Sequence, residues 1–352
     1  IPGIVDAGRR ADLESLPVYF FITRAQDLTT CTAYTGNQMV QGSPAWFVFN
    51  WQCAVVCDGE VYDHVCYRLR GANGRYQPGK RSFRFKFNDG RHLAARDPSG
   101  ARYPTKWSSL DTGKGQSNQQ TLTFGLNEAV NYFLWNKVGV PAPFSHFFHW
   151  RVIDSVAEAP DRYGGDFWGL CWAQENYDVR FLEAHGLPKG NLYKLINSTT
   201  VGLDQLRYQA PDAVTDGSDH DNIQNNLNSS QTAAWLLAHV NYPLWYRYHA
   251  ICEGVRNYDF WPGCDKNAAY YFEPAYTSQN QYYGRLWILP WDVTDTWGPT
   301  WNSGQDSAYV SIFSGSTKPE LIGDYRNTVR EIRDLLFQRD QIEPIVDAFA
   351  GT

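Results

Sequence analysis

No run of about 18 apolar residues occurs anywhere in this 352-residue sequence, so no segment reads as a membrane-spanning helix. Basic charge is also short. The 31 Lys and Arg residues against 37 Asp and Glu leave a net charge of −6, which argues against general nucleic-acid binding and leaves room for a basic partner. No Cys-x-x-Cys pair occurs, so a structural zinc site has no support. The eight histidines are scattered. No Ser-His-Asp or Cys-His arrangement has a local signature, which leaves a hydrolase little support. The Gly-rich stretch 71–79 does not follow the Walker pattern.

Aromatic residues are plentiful instead, at 16% with 14 Trp and 22 Tyr, while Met occurs once. Together with many Asn and Gln residues this composition leans towards an extracellular protein. The first residue is Ile, and no signal-peptide pattern is present, so a processed mature form is expected. Four of the seven cysteines (Cys31, Cys53, Cys57 and Cys66) fall close together. In an exported chain disulfides are expected among them. Cys53 and Cys66 would lie diagonally across a hairpin, with Cys53 opposite His64, and Cys252 and Cys264 would flank a loop.

Strands are expected at residues 17–23, 46–57 and 61–70. The last two are joined at Asp58-Gly59, a strong two-residue hairpin signal. Residues 80–87 alternate cleanly: Phe83, Phe85 and Phe87 point one way, Ser82, Arg84 and Lys86 the other, giving a half-buried strand with one basic face. Apolar residues at 126, 130, 133, 134 and 138 predict an amphipathic helix, stopped by Gly139 and Pro141. Strands at 145–153 and 168–174 complete a first lobe of an antiparallel sheet with one helix, over residues 1–175.

Residues 209–231 are polar and read as a surface loop, whose Asp216, Asp219 and Asp221 lack an EF-hand register. Residues 232–251 read as a helix kinked or interrupted at Pro243, and 320–349 as one or two helices with a break at Pro344. His146 and His149, in a strand with Phe147 and Phe148, are expected to pack.

The most informative stretch runs from Arg285 to Gly298. A short apolar strand leads into an acidic turn with Asp292 and Asp295, two carboxylates suited to a hard cation such as Mg²⁺ or Ca²⁺. Upstream, Asp259 and Asn267 sit on a loop that enters a strand at 268–272. Loop, strand, turn, strand and acidic turn is the order in which protein kinases present a base, a metal-binding Asn and a metal-binding Asp to a nucleotide.

Several motifs recur in one order: Asp58-Gly-Glu-Val-Tyr-Asp63, Arg68-Leu-Arg-Gly71, the basic strand 80–87, Gly139-Val-Pro-Ala-Pro143, Trp168-Gly-Leu170, Gly190-Asn-Leu-Tyr-Lys194, Asn257-Tyr-Asp259 with Asn267, and Leu289-Pro-Trp-Asp292. As an ordered set they resemble the CotH family, the spore-coat-protein-H kinases. The resemblance implies an α+β, two-lobed, atypical protein-kinase-like fold. Its N-terminal lobe (1–175) would hold an antiparallel sheet, and its C-terminal lobe (176–352) would be mostly helical.

It also implies transfer of the ATP γ-phosphate, with Mg²⁺ (or Mn²⁺ or Ca²⁺), to Ser or Thr of a secreted, extracellular or coat protein. On that carry-over Asp259, Asn267 and Asp292 are the catalytic set, with Asp292, Asn267 and Asp295 as metal ligands. Lys80, Arg81, Arg84 and Lys86 face the phosphates, and Glu175 and Asn176 lie near the adenine. Glu128, third in its helix, reads first as a cap of the first turn, with an ion pair to the basic strand as the kinase alternative. The protein substrate is expected to be basic and rich in Ser or Thr, and self-assembly is compatible with a coat role. Lys266, where the family usually has His, and Asn73-Gly-Arg75 in the Gly-rich turn depart from the family pattern. A catalytically silent CotH-like adhesion, coat or scaffold module stands as the alternative.

Overall fold

The computed structural model describes residues 16–33, 51–71, 81–113, 125–158, 166–195, 202–257, 267–274, 283–294, 296–298 and 318–351. It is a mixed α+β protein with two separate sheets. The chain divides into two compact units, one of residues 1–126 and 144–176, the other of residues 127–143 and 177–351.

The first unit carries seven strands: β1 (Val18–Ile22), β2 (Trp51–Cys57), β3 (Glu60–Leu69), β4 (Phe83–Lys86), β5 (Ser109–Gly113), β6 (Ser145–Ile153) and β7 (Asp166–Gln174). They close into a barrel in the order β1-β2-β3-β4-β5-β7-β6. The expected sheet was antiparallel throughout. One parallel pair, β1 with β6 from Val18↔His149 to Ile22↔Ile153, closes the described strands into a barrel. The hairpin between β2 and β3 turns at Asp58 (φ 49°) and Gly59 (φ 75°), the two positive φ values that a tight primed turn requires.

Alternation along β4 holds. Phe83, Phe85 and Phe87 are buried, Arg84 is half-buried and Lys86 exposed. Phe83 and Phe85 join Phe21, Tyr67 and Trp150 in an aromatic barrel core whose ring centroids lie 4.8 to 6.3 Å apart in edge-on, tilted and stacked pairs. Helix Ala25–Thr32, absent from the sequence expectations, buries Leu28 and Cys31.

No disulfide joins the described cysteines Cys31, Cys53, Cys57, Cys66, Cys171 and Cys252, so the pairs expected among the first four are not formed; Cys264 lies outside the described residues. A bulge between Cys53 and Val55 pairs Cys53 with Val65 rather than His64. The Cys53 thiol donates instead to the Val65 carbonyl at 3.4 Å. Burial pushes the Cys31 thiol up to about 12, so these cysteines behave as small core residues.

The second unit is built on a four-stranded sheet in the order β11-β10-β8-β9, comprising β8 (Leu192–Lys194), β9 (Leu206–Tyr208), β10 (Ala268–Glu273) and β11 (Arg285–Pro290). Helices Leu126–Lys137, Val179–Ala184, Ser218–Asn226, Ala233–His239, Tyr242–Val255, Pro319–Leu336 and Arg339–Ala350 accompany it. Helix Leu126–Lys137, expected in the first lobe, groups with this unit, and its buried Asn131 bonds to the chain after Asp292 (below).

The polar segment expected as a loop contains helix Ser218–Asn226, which buries Asp219, His220 and Ile223. Asp219 accepts from Tyr193 and Asn191, and His220 lies against Gln205, so the helix's polar composition hides its burial. Pro243 does separate two helices: it stands in the first turn of Tyr242–Val255, capped by the Asn241 side chain accepting from the Leu244 N–H. Pro344 instead lies inside Arg339–Ala350, and the break falls at Phe337 and the extended Gln338. At the sixth helical position Pro344 removes one early intrahelical bond without ending the helix. No described helix is long and apolar enough to cross a membrane.

Candidate functional site

In the second unit, β10 and β11 form an antiparallel ladder from Glu273↔Arg285 to Ala268↔Pro290. One step further, the Trp291 N–H donates to the Asn267 carbonyl at 3.3 Å. Two sequence-predicted residues therefore meet at one end of the ladder, Asn267 just before β10 and Asp292 just after Trp291. Both are left-handed, with φ of 58° and 54°. Asn and Asp tolerate that conformation better than other side chains, and such outliers collect where a side chain must be re-aimed. Asp292 is exposed between two buried neighbours, Trp291 and Val293. The turn thus carries a solvent-facing carboxylate on a fixed backbone.

That backbone is held by helix Leu126–Lys137. The fully buried Asn131 donates through Nδ2 to the Val293 carbonyl (3.0 Å) and the Thr296 hydroxyl (2.9 Å), and its Oδ1 accepts from the Trp297 indole (2.8 Å). Asn127 donates to the Thr294 carbonyl at 3.3 Å. On the other side the Tyr177 hydroxyl donates to the Pro290 carbonyl at 2.7 Å. Nothing in the sequence singles out Asn131. A polar residue on the buried face of a predicted amphipathic helix was the one available signal.

Asp259, Asp295 and Lys80 lie outside the described residues. The segment leading to Asp259 is visible as far as Asn257, a buried residue that follows the left-handed Arg256 cap of helix Tyr242–Val255.

In the first unit, the basic strand meets a buried acid. Arg84 on β4 pairs both oxygens of Asp111 on β5 through Nε and Nη2. Arg70 Nε lies 3.4 Å from the same carboxylate, and its Nη2 donates to Gln174 Oε1 at 3.1 Å. Asp111 is fully buried. Arg84 also donates to Asn176 Oδ1 at 3.4 Å, and Asn176 Nδ2 donates to the Ser109 hydroxyl at 3.2 Å. Two predicted residues, Arg84 and Asn176, are thus brought together by two unpredicted ones, Asp111 and Ser109. Arg81 is half-buried and Lys86 exposed. Glu175 is buried, and its carboxylate accepts from the Phe144 N–H at 3.2 Å.

Among the described residues no cluster of three or more His, Cys, Asp or Glu side chains could hold a metal by itself. Asp292 and Asn267 offer one carboxylate and one amide oxygen. Mg²⁺ keeps several waters and takes phosphate oxygens, so one or two such protein ligands suffice. The donor set fits a hard cation shared with a nucleotide.

Residues 67–352 match the family described as CotH kinase protein. The match covers most of the sequence and takes in Asn267, Asp292 and the basic strand, while the Asp58–Asp63 motif precedes it. The chain belongs to the CotH kinase family. A search of curated proteins finds no match. Family membership supports a kinase-like or CotH-like function and the general use of ATP with a divalent metal.

Proposed function

We propose that this protein is a two-lobed, CotH-type protein kinase that transfers the γ-phosphate of ATP to Ser or Thr of a basic protein. The observation that carries the reading is the meeting of Asn267 and Asp292, both left-handed, at one end of the β10–β11 ladder. Asp292 and Asn267 would hold Mg²⁺, with Asp295 as a further ligand, and the ion would neutralise phosphate charge.

Asp259 orients the acceptor hydroxyl and takes its proton as the acceptor oxygen bonds to the γ-phosphorus. The bond between that phosphorus and the β,γ-bridging oxygen breaks, and ADP leaves with the electron pair. Arg81, Arg84, Lys86 and Lys80 are assigned to the phosphates, and Glu175 and Asn176 to the adenine. The pairing of Arg84 with Asp111 suits a guanidinium held in one orientation.

A net charge of −6 favours a basic acceptor over an acidic one. We place the protein outside the cytoplasm, at a coat or cell surface. That placement rests on composition alone, since the described cysteines form no disulfide with one another.

Incubation with labelled ATP and Mn²⁺ tests the reading. Wild-type protein is expected to label itself or a basic, Ser-rich protein. Asp259→Asn should still bind ATP and metal yet lose transfer by about 10²-fold or more. Absence of labelling on every basic acceptor would favour a silent coat or adhesion module.

A further inference from the structure

Lys194 closes β8 at the same end of the sheet as Asn267 and Asp292. It pairs with Ala269, two residues past Asn267, and the next residue continues the ladder through the Leu195 N–H to the Ala268 carbonyl at 3.0 Å. Its ammonium lies 3.5 Å from the centroid of the Trp291 ring. Trp291 is bonded through its backbone to Asn267 and immediately precedes Asp292. One half-buried cation therefore rests on the ring of the residue whose backbone links the two assigned metal ligands.

The strand that carries it is fixed from its other face. The Tyr193 hydroxyl donates to Asp219 at 2.6 Å, and Asn191 Nδ2 donates to the same carboxylate at 2.9 Å. Asp219 is buried, and burial raises its pKa even against the hydrogen bonds that lower it. At the strand's entry Gly190 packs so closely that an added Cβ would lie 1.9 Å from the Phe272 carbonyl oxygen. A lysine on so constrained a strand presents its charge at one place, which is what stabilisation of developing charge on a transferring group requires.

We propose that Lys194 contacts the terminal phosphate of the nucleotide held at Asn267 and Asp292, an inference that rests on the kinase reading above. Lysine is a point-charge phosphate binder, and its contact with Trp291 sets the reach of the ammonium. Its loss should therefore fall on ATP and spare ADP.

Calorimetric titration of wild type, Lys194→Met and Lys194→Gln with Mn²⁺·ATP and Mn²⁺·ADP tests this, with the melting temperature of each apo protein as a folding control. Wild type is expected to bind ATP more tightly than ADP. Both variants should keep ADP affinity and lose ATP affinity by about tenfold, the size of one charge-assisted contact. A variant with the wild-type ATP-to-ADP ratio, equal loss for both nucleotides, or a wild type without ATP preference overturns the role of Lys194 alone. Wild-type binding to neither nucleotide overturns the kinase reading beneath it. Should Met unfold the protein, Gln keeps a polar stem of similar length at the same site.

Discussion

The Trp291 N–H bonds to the Asn267 carbonyl at 3.3 Å, one position beyond the Ala268–Pro290 pair. The bond ties an amide-bearing loop end to the residue before an exposed carboxylate, so neither can shift along the sheet without the other. Strand register thereby brings together two residues that are 25 positions apart in sequence (292 − 267).

Asn131 should matter to that turn although it contributes no ligand. Asn131→Ala leaves the Val293 carbonyl, the Thr296 hydroxyl and the Trp297 indole without their shared partner. A loss of about 1–3 kcal/mol in urea unfolding is expected, together with weaker Mn²⁺·ATP binding than in a surface variant of equal stability. Equal nucleotide binding at reduced stability would make Asn131 a purely structural residue.

Asp111→Ala should be among the more damaging substitutions in the barrel. It leaves Arg70 and Arg84, both largely buried, without their common counter-charge. Breaking one side of a buried ion pair typically costs about 3–5 kcal/mol, measurable by denaturant titration. A loss below about 1 kcal/mol would show that the two guanidinium groups find water or other acceptors.

His249, buried in helix Tyr242–Val255, gives the fold a pH dependence. Burial pushes its pKa from 6.5 down to about 3. The unfolded chain takes up the proton below about 6.5 while the folded protein does not. This contribution to stability is therefore complete above pH 6.5 and is lost as pH falls towards 3, at up to about 1.4 kcal/mol per pH unit. Between pH 7 and 5, wild type should lose more stability than His249→Gln. Parallel losses would show that the ring is protonated in the folded state.

The six described cysteines should behave as thiols. Mass spectrometry of the unreduced protein is expected to find no bridge among Cys31, Cys53, Cys57, Cys66, Cys171 and Cys252, and reductant should leave the melting temperature unchanged. A native Cys53–Cys66 bridge would contradict the β2–β3 register.

Where period and burial agree, the elements were legible in the sequence. Strand β6 falls at 145–153 as its aromatic and β-branched run predicts, and β4 alternates as its phenylalanines require. The Asp58-Gly59 turn is where two positive φ values are needed. Elements whose burial is polar escaped. Strand β5 hides Asp111 and Thr112, and helix Ser218–Asn226 hides Asp219 and His220, because partners on other elements (Arg84, the Phe83 N–H, Tyr193 and Gln205) bond to them. Cysteine spacing misled for a related reason, since clustering in sequence says nothing of whether two side chains converge across a bulged hairpin. Asn267 and Asp292 were legible as candidates. Their shared end of one ladder was not, because it depends on register.

A thermal-shift titration of wild type and Asp292→Asn with Mn²⁺·ATP tests the central claim most directly. Asp292 is exposed, so the apo proteins should melt within a degree or two of each other, on the order expected of a surface substitution. Wild type should show saturable stabilisation that needs both metal and nucleotide, and Asp292→Asn should show none. Equal stabilisation of the two proteins, or none in wild type, would contradict the account.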